Sequence, residues 1–397
     1  MNSYLRITGA PLMLRKWQRA MGVVAVISGS LIGAIEVCGQ TPQYIVTELS
    51  SDDATRVPCK LNNHGDIAGR ADSALHREPR ATLWNRPNLR SKHLRAFVGG
   101  DYSSAFDIND AGEIVGVSNT GGALVPFIWN ARGGLSRIPL LPGDSCGQAL
   151  AINKHGHVAG YSSGDKGVRA FLWRRNIAML NLDVLPGCTH SIARDVNDSD
   201  EVAGTSGSSS GDRAVLWTNS GNVLDLGTLA GDWASEAAAI NNNGEVVGYS
   251  KGPRGMHAFI WSRNGGMQEL GILPGGDSSR AMDINDSGEV VGSSASGAGE
   301  HAFIWTRQGG IADLNNPASA AVGFVFIEAH AINARGQIIV MGRSSHDSMM
   351  ATGTAFEGDQ VCAPAPPASF LLTPAYTDPG LVELTRVRAM QCACAAL

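Results

Sequence analysis

From residue 56 onward, short apolar runs alternate with clusters of Gly, Asn, Asp and Ser, and the alternation has a fixed period. Asn-x-x-Gly turns begin at Asn62, Asn109, Asn153, Asn241, Asn285 and Asn333. Asn197 completes the series with Asp200 in the glycine position. Successive spacings are 47, 44, 44, 44, 44 and 48 residues. Apolar runs end in Trp84, Trp129, Trp173, Trp217, Trp261 and Trp305, spaced by 45 and then four times by 44. Within one unit, 280–285, 289–293, 301–305 and 311–314 are short β-favouring runs bounded by turn residues, which predicts a strand meander. No segment after residue 40 has helical periodicity. Four antiparallel strands repeated every 44 residues or so predict a propeller blade, because one sheet cannot cover both of its faces and stacked blades cover each other.

Seven markers predict an all-β, seven-bladed propeller over residues 40–375, with an irregular tail at 376–397. Tyr44–Leu49 is expected to serve as the fourth strand of the last blade, joining the chain's ends and removing the edges of an open sheet. That blade has lost its tryptophan. Its third strand is either 354–356 or, preferably, 369–373, with the proline-rich stretch 363–367 between. Ala105, Ala149, Ala193, Ala237, Ala281 and Ala329 each lie four positions before a marker asparagine, where small residues suit a crowded axis.

Composition changes the picture in two ways. Glycine is 49 of 397 residues, without a period of three, and charged residues are only 17 % against 43 % hydrophobic. This excludes collagen, a coiled coil and a charge-rich disordered chain. The length alone fits two or three domains, but the repeat assigns some 330 residues to a single ring.

The first forty residues differ from the rest. Arg15, Lys16 and Arg19 precede an apolar stretch, 21–35, and small residues follow around Val37-Cys38-Gly39. That order is the order of a secretory signal peptide, with cleavage expected after Gly39 and translation starting at Met1 or Met13. Fifteen residues fall short of the ~20 needed to span a bilayer, so no membrane span is expected after cleavage. Export to the periplasm or the medium follows. Losing residues 1–39 removes four basic residues and one acid from totals of 31 and 36, leaving 27 against 35 and a net charge of −8. Such a surface disfavours nucleic acid. Cys59, Cys146, Cys188, Cys362, Cys392 and Cys394 remain; an even count permits disulfides, Cys146–Cys188 among them, but the spacing matches no zinc site.

The repeat resembles the HAF-repeat extracellular proteins, named for a His-Ala-Phe motif. It stands intact at 257–259 and 301–303 and varied at Arg169-Ala170-Phe171 and Arg213-Ala214-Val215. Ile-Asn-x-x-Gly-x-Val-x-Gly recurs at 152–160, 240–248 and 284–292, and Leu-Gly-x-Leu-x-Gly at 226–231 and 270–275. The resemblance covers most of residues 43–345. It implies export and a repeated β architecture, and carries over no catalytic residue.

Candidate chemistry is sparse. Asp283–Gly288 is similar to a calcium loop, but position twelve is Ser294 and three other copies start with Ala151, Ala239 and Ala331, so a turn-shaping role fits better. The repeating tryptophans occupy one fixed position and are expected to pack between blades. Trp233 lies outside that position and is a candidate for an exposed contact. Lead-in loops carry Gly-Asp pairs, which would set Asp101, Asp144, Asp232 and Asp277 around one mouth of the axis, with His190 in a comparable loop. Such a ring would attract a cation or basic ligand, unless each acid caps its own turn or pairs with Arg169, Arg213, His257 or His301. No catalytic elbow, zinc-protease helix or phosphate loop is present, and no cofactor or metal is expected. The reading is a monomeric, non-enzymatic binding or scaffold module for a protein or polysaccharide, with these rim residues as the ligand site. The alternative is a propeller hydrolase or lyase acting on glycans, with acids near Asp144 and Asp232 as acid and base.

Overall fold

The computed structural model describes residues 43–49, 56–73, 76–209, 211–315, 319, 322–345 and 367–375. The chain divides into two units, Met1–Gln40 and Thr41–Leu397, and every described residue belongs to the second. The leader, Cys362, Cys392, Cys394, the segments 354–356 and 363–366 and the tail lie outside the described residues.

Among the described residues, twenty-eight strands form seven four-stranded antiparallel sheets, each a meander. Blades 1 to 6 span 56–93, 103–137, 144–181, 190–225, 234–269 and 279–313. Blade 7 consists of Phe324–Ile332, Ile338–Ser344, Ala368–Pro374 and, as its outer strand, Tyr44–Glu48. Tyr44 pairs with Pro374 and Glu48 with Phe370, so the chain's start closes the ring and the third strand is the later of the two expected. Among the described residues no helix is long and apolar enough to cross a membrane.

The core is seven apolar layers, one between each pair of neighbouring blades. Between blades 4 and 5, for example, Leu216 and Leu226 meet Val246, Phe259 and Trp261. Between blades 7 and 1, Ala331, Ile339 and Leu371 meet Leu61, Ile67 and Trp84, so the ring has no seam. Every repeating tryptophan packs against the preceding blade, as Trp217 does against Ala151, Ala159 and Leu172. The marker alanines, expected at the axis, instead lie in these layers: Ala105 packs with Ala68, Ala81 and Leu83 of blade 1.

A β-bulge explains the difference. Each first strand slips register at the same place, as between Ala105 and Asp107 or Ala281 and Asp283. A bulge places two residues opposite one and re-aims the side chains that follow, so the position after the bulge, two before the asparagine, faces the axis. Opposite each bulge in blades 1 to 6 the second strand carries glycine. A Cβ on Gly248 would collide with the backbone carbonyl of Glu236, and one on Gly292 with that of Arg280. Blade 7, with a second bulge between Phe326 and Glu328, carries Val340 there. Gly248→Ala is therefore expected to destabilise the protein by about 1–3 kcal/mol or more, read as a lowered urea midpoint; an unchanged midpoint would remove the close approach as the reason for the Val-x-Gly pattern.

The His-Ala-Phe motif is a blade-to-blade fastener. His257 Nδ1 lies 2.7 Å from Glu269 Oε1 on the outer strand, and His301 Nδ1 lies 2.7 Å from Asp313 Oδ2. The Ala258 N–H donates to Ser279 Oγ of the next blade at 3.0 Å, while Phe259 fills the layer on the other side.

Candidate functional site

The asparagine turns shape one end of the ring. Asn241 Oδ1 accepts the N–H groups of Asn243 and Glu245, both at 3.0 Å, and the same pair of bonds forms at Asn62, Asn153, Asn197, Asn285 and Asn333. Each Nδ2 donates to the carbonyl of the next blade's asparagine, at 2.9–3.3 Å, and Asn333 returns to Asn62. Seven asparagines thus form a closed circuit around the axis. The glycine three residues on adopts positive φ, 73° at Gly244 and 77° at Gly288, which a side chain resists. Asp200 takes that conformation at φ 60°. Its carboxylate serves blade 3, where His157 stands in place of the usual acid: Asp200 Oδ1 is 2.9 Å from Asn153 Nδ2 and 2.8 Å from His157 Nδ1. Burial would raise its pKa, but His157 and Arg174 outweigh that and hold it low.

Beneath the circuit lie the axial positions, in blade order Lys60, Asp107, Ala151, Asp195, Ala239, Asp283 and Ala331. Acid and alanine alternate. Asp107 accepts N–H bonds from Ile108 and from Ile152 of the next blade, both at 2.8 Å. Asp195 bridges Val196 and Ile240 in the same way, each at 2.9 Å, and Asp283 takes Ile332 at 2.9 Å. Seven is odd, so the alternation cannot close, and blade 1 breaks it with a cation. Lys60 Nζ reaches past blade 7 to Asp283 Oδ1 at 2.5 Å. Burial disfavours its charge, but Asp283, Asp195 and Asp107 together reverse that and keep it protonated. Burial pushes Asp107 up to about 7 and raises Asp195 as well.

These buried acids give a pH dependence of definite sign. An unfolded aspartate titrates near 3.9, so between pH 4 and 7 the folded state binds more protons at Asp107. That contribution to stability is complete below pH 4 and is lost as the pH rises through about 7. Denaturant midpoints measured across this window should show the corresponding slope, reduced in Asp107→Asn; the same slope in both proteins would contradict it.

The axial cavity, about 210 Å3, is rimmed by Asn63, Asp110, Lys154, Asp198, Asn242 and Asp286. These too are bonded between blades: Asp110 accepts from Asn63, and Asp286 from Asn242, through both carboxylate oxygens at 2.8–3.0 Å. Among the described residues no three His, Cys, Asp or Glu side chains are grouped to hold a metal. In the Asp283–Gly288 string, Asp283 ties to Ile332 of the next blade, and Asn285 Oδ1 accepts the Ser287 and Glu289 N–H groups that shape the turn.

The rim residues singled out in the sequence lie at or just before the starts of the first strands, at the end away from the asparagine circuit, and the axial cavity opens at the circuit. Asp144 is held on both oxygens, by Arg169 at 2.7 Å and Ser162 at 2.5 Å. Asp101 bonds to Asn119, which lowers its pKa, and Asp232 to Ser250 at 2.7 Å. The exposed Asp277 has its own neighbour Ser278 at 3.2 Å, and His190 lies 3.3 Å from Asp212. Each is tied within its own blade. Trp233 differs. It is 52 % exposed and borders an open cleft of about 470 Å3 between blades 4 and 5, together with Cys188, Arg213 and Asp225. Cys59, Cys146 and Cys188 are free thiols, so the Cys146–Cys188 bridge does not form.

Fold and ring closure define a seven-bladed β-propeller sealed by its N-terminal strand. No protein-family model matches the chain, and no curated protein matches it in sequence. Solved propellers match in shape. An oligogalacturonate lyase in complex with manganese superposes with a TM-score of 0.52 at 13 % identity, over 85 % of this chain and 97 % of that one. A catalytically inactive virginiamycin B lyase from Staphylococcus aureus, with quinupristin, gives 0.51 at 12 %, over 83 % and 99 %. An oligogalacturonate lyase from Vibrio parahaemolyticus gives 0.50 at 11 %, over 83 % and 93 %. At such identities the likeness is one of fold.

Proposed function

We propose that the chain is an exported, non-enzymatic propeller of the HAF-repeat type, acting as a monomeric binding or scaffold module for a protein or polysaccharide at the cell surface or in the periplasm. The observation that carries this reading is the contrast between axis and rim. The axial carboxylates are engaged by backbone N–H groups of neighbouring blades, whereas the rim offers an exposed tryptophan beside an open cleft. Aromatic side chains in such positions supply large contact area with little ordering cost. The basic and apolar character of residues 15–35 supports export.

The test is capture on a glycan array and from cell-surface extracts, using the full chain and Trp233→Ala. Capture that the substitution abolishes supports a rim binder. Turnover of a polysaccharide that fails in Asp144→Asn or Asp232→Asn overturns the non-enzymatic reading.

A further inference from the structure

Two positions of blade 4 and one in the lead-in loop of blade 5 depart from the repeat, and all three border the rim cleft. The first is the lead-in loop. Asp144 of blade 3 and Asp232 of blade 5 donate their N–H to Leu141 and Leu229, three residues back. In blade 4 the residue making that bond, to Leu185, is Cys188. The second is the position that carries the motif histidine. In blade 3 it holds Arg169, whose guanidinium is paired with Asp144. In blade 4 it holds Arg213, and the carboxylate it would meet has been replaced by Cys188.

The other carboxylate at this cleft is not bonded to it either. Asp225 occupies the outer-strand position of Glu269 and Asp313, which bind His257 and His301. Asp225 Oδ1 accepts the Gly227 N–H at 2.8 Å, just as Asp313 Oδ1 accepts the Asn315 N–H, but no bond joins Asp225 to Arg213. Among the described residues the Arg213 side chain makes no hydrogen bond and no ion pair. A half-buried arginine therefore borders the cleft without an ion pair, in a chain of net charge −5. The third departure, in the lead-in loop of blade 5, is Trp233, outside the repeating tryptophan position and exposed at the same cleft.

We infer that the cleft between blades 4 and 5 binds a saccharide carrying a carboxylate, with Arg213 holding the carboxylate, Trp233 stacking on the sugar ring and Asp225 accepting a hydroxyl. The inference rests on the binding-module reading above and names its ligand class. A guanidinium presents a planar fork that matches a carboxylate. An exposed indole offers a flat apolar face to the C–H side of a pyranose, and ligand sites typically combine such a surface with a few polar groups. Asp225 beside the arginine favours a ligand with donors next to its acid, as a uronic acid has, over a run of acidic peptide.

The probes are a glucuronate-containing trisaccharide, its methyl ester and the neutral glucose counterpart, titrated calorimetrically into the full chain. The acid form should bind at least tenfold more tightly than the ester, and added salt should narrow the gap. Arg213→Gln should abolish that preference, and Trp233→Ala should weaken all three probes about tenfold or more. Cys188→Asp is the decisive variant, because blades 3 and 5 already accommodate aspartate there. It should give Arg213 the counter-ion found in blade 3 and abolish the preference while leaving the thermal midpoint unchanged. Equal affinity for acid and ester, or a preference that survives Cys188→Asp, overturns the inference. Failure of all three probes while a surface protein is still captured through Trp233 overturns it too, and leaves the binding-module reading standing. Turnover of the trisaccharide would instead overturn that reading.

Discussion

Replacing Lys60 by methionine should destabilise the protein by about 3–5 kcal/mol at pH 7, among the larger effects expected from one substitution. The reason is local electrostatics. Asp107, Asp195 and Asp283 surround the axis, and Lys60 lies among them, paired with Asp283 at 2.5 Å. Methionine retains the apolar stem and removes the charge, leaving buried acids with backbone N–H partners alone. The loss should shrink at pH 5, where carboxylates of raised pKa take up protons. Adding Asp283→Asn to the variant should recover much of it, because the amide oxygen can still accept the Ile332 N–H. A midpoint that moves equally at both pH values would contradict the charge-based explanation.

Deleting residues 40–49 should lower stability further, or prevent folding. The segment contributes the outer strand of blade 7, in register from Tyr44–Pro374 to Glu48–Phe370. It also buries Tyr44 against Phe326 and Leu372, and Leu49 against Ile339 and Trp84. Burying those two side chains is worth roughly 3–6 kcal/mol, and each ladder hydrogen bond adds about 0.5–1.5. The deletion also exposes an edge along Ala368–Pro374, which invites pairing between chains. Thermal unfolding and light scattering read the two consequences together. A monomeric deletion with an unchanged midpoint would show that the ring does not depend on this closure.

Much of this architecture was legible in the sequence because each blade repeats the same physical solution. The 44-residue spacing, the glycine of the asparagine turn and the tryptophan ending six of the seven third strands report backbone geometry and layer packing, which recur without regard to ligand. The closing strand was legible because the last blade lacked a partner for its third strand. Axis chemistry was not. A bulge shifts which residue faces inward, so the alanines four before six of the seven asparagines took the place expected of the true axial residues two positions later. The Asp–Ala alternation was visible as a list of residues, but only the ring shows that an odd count leaves it open at Lys60. The rim was legible in part. Trp233 stood out by breaking the pattern, whereas His190 drew attention that belonged to Cys188, the residue structurally equivalent to Asp144. The unpaired state of Arg213 depends on that equivalence and appears only in three dimensions.

Hydrogen–deuterium exchange of the full chain, with and without the glycan or surface protein it captures, distinguishes a rim site from an axial one. Added protection should fall on residues 185–188, 211–213 and 225–233, with the asparagine circuit unchanged. Protection confined to 62–63, 197–198 and 241–242, around the axial cavity, would contradict the assignment of the rim cleft as the binding site.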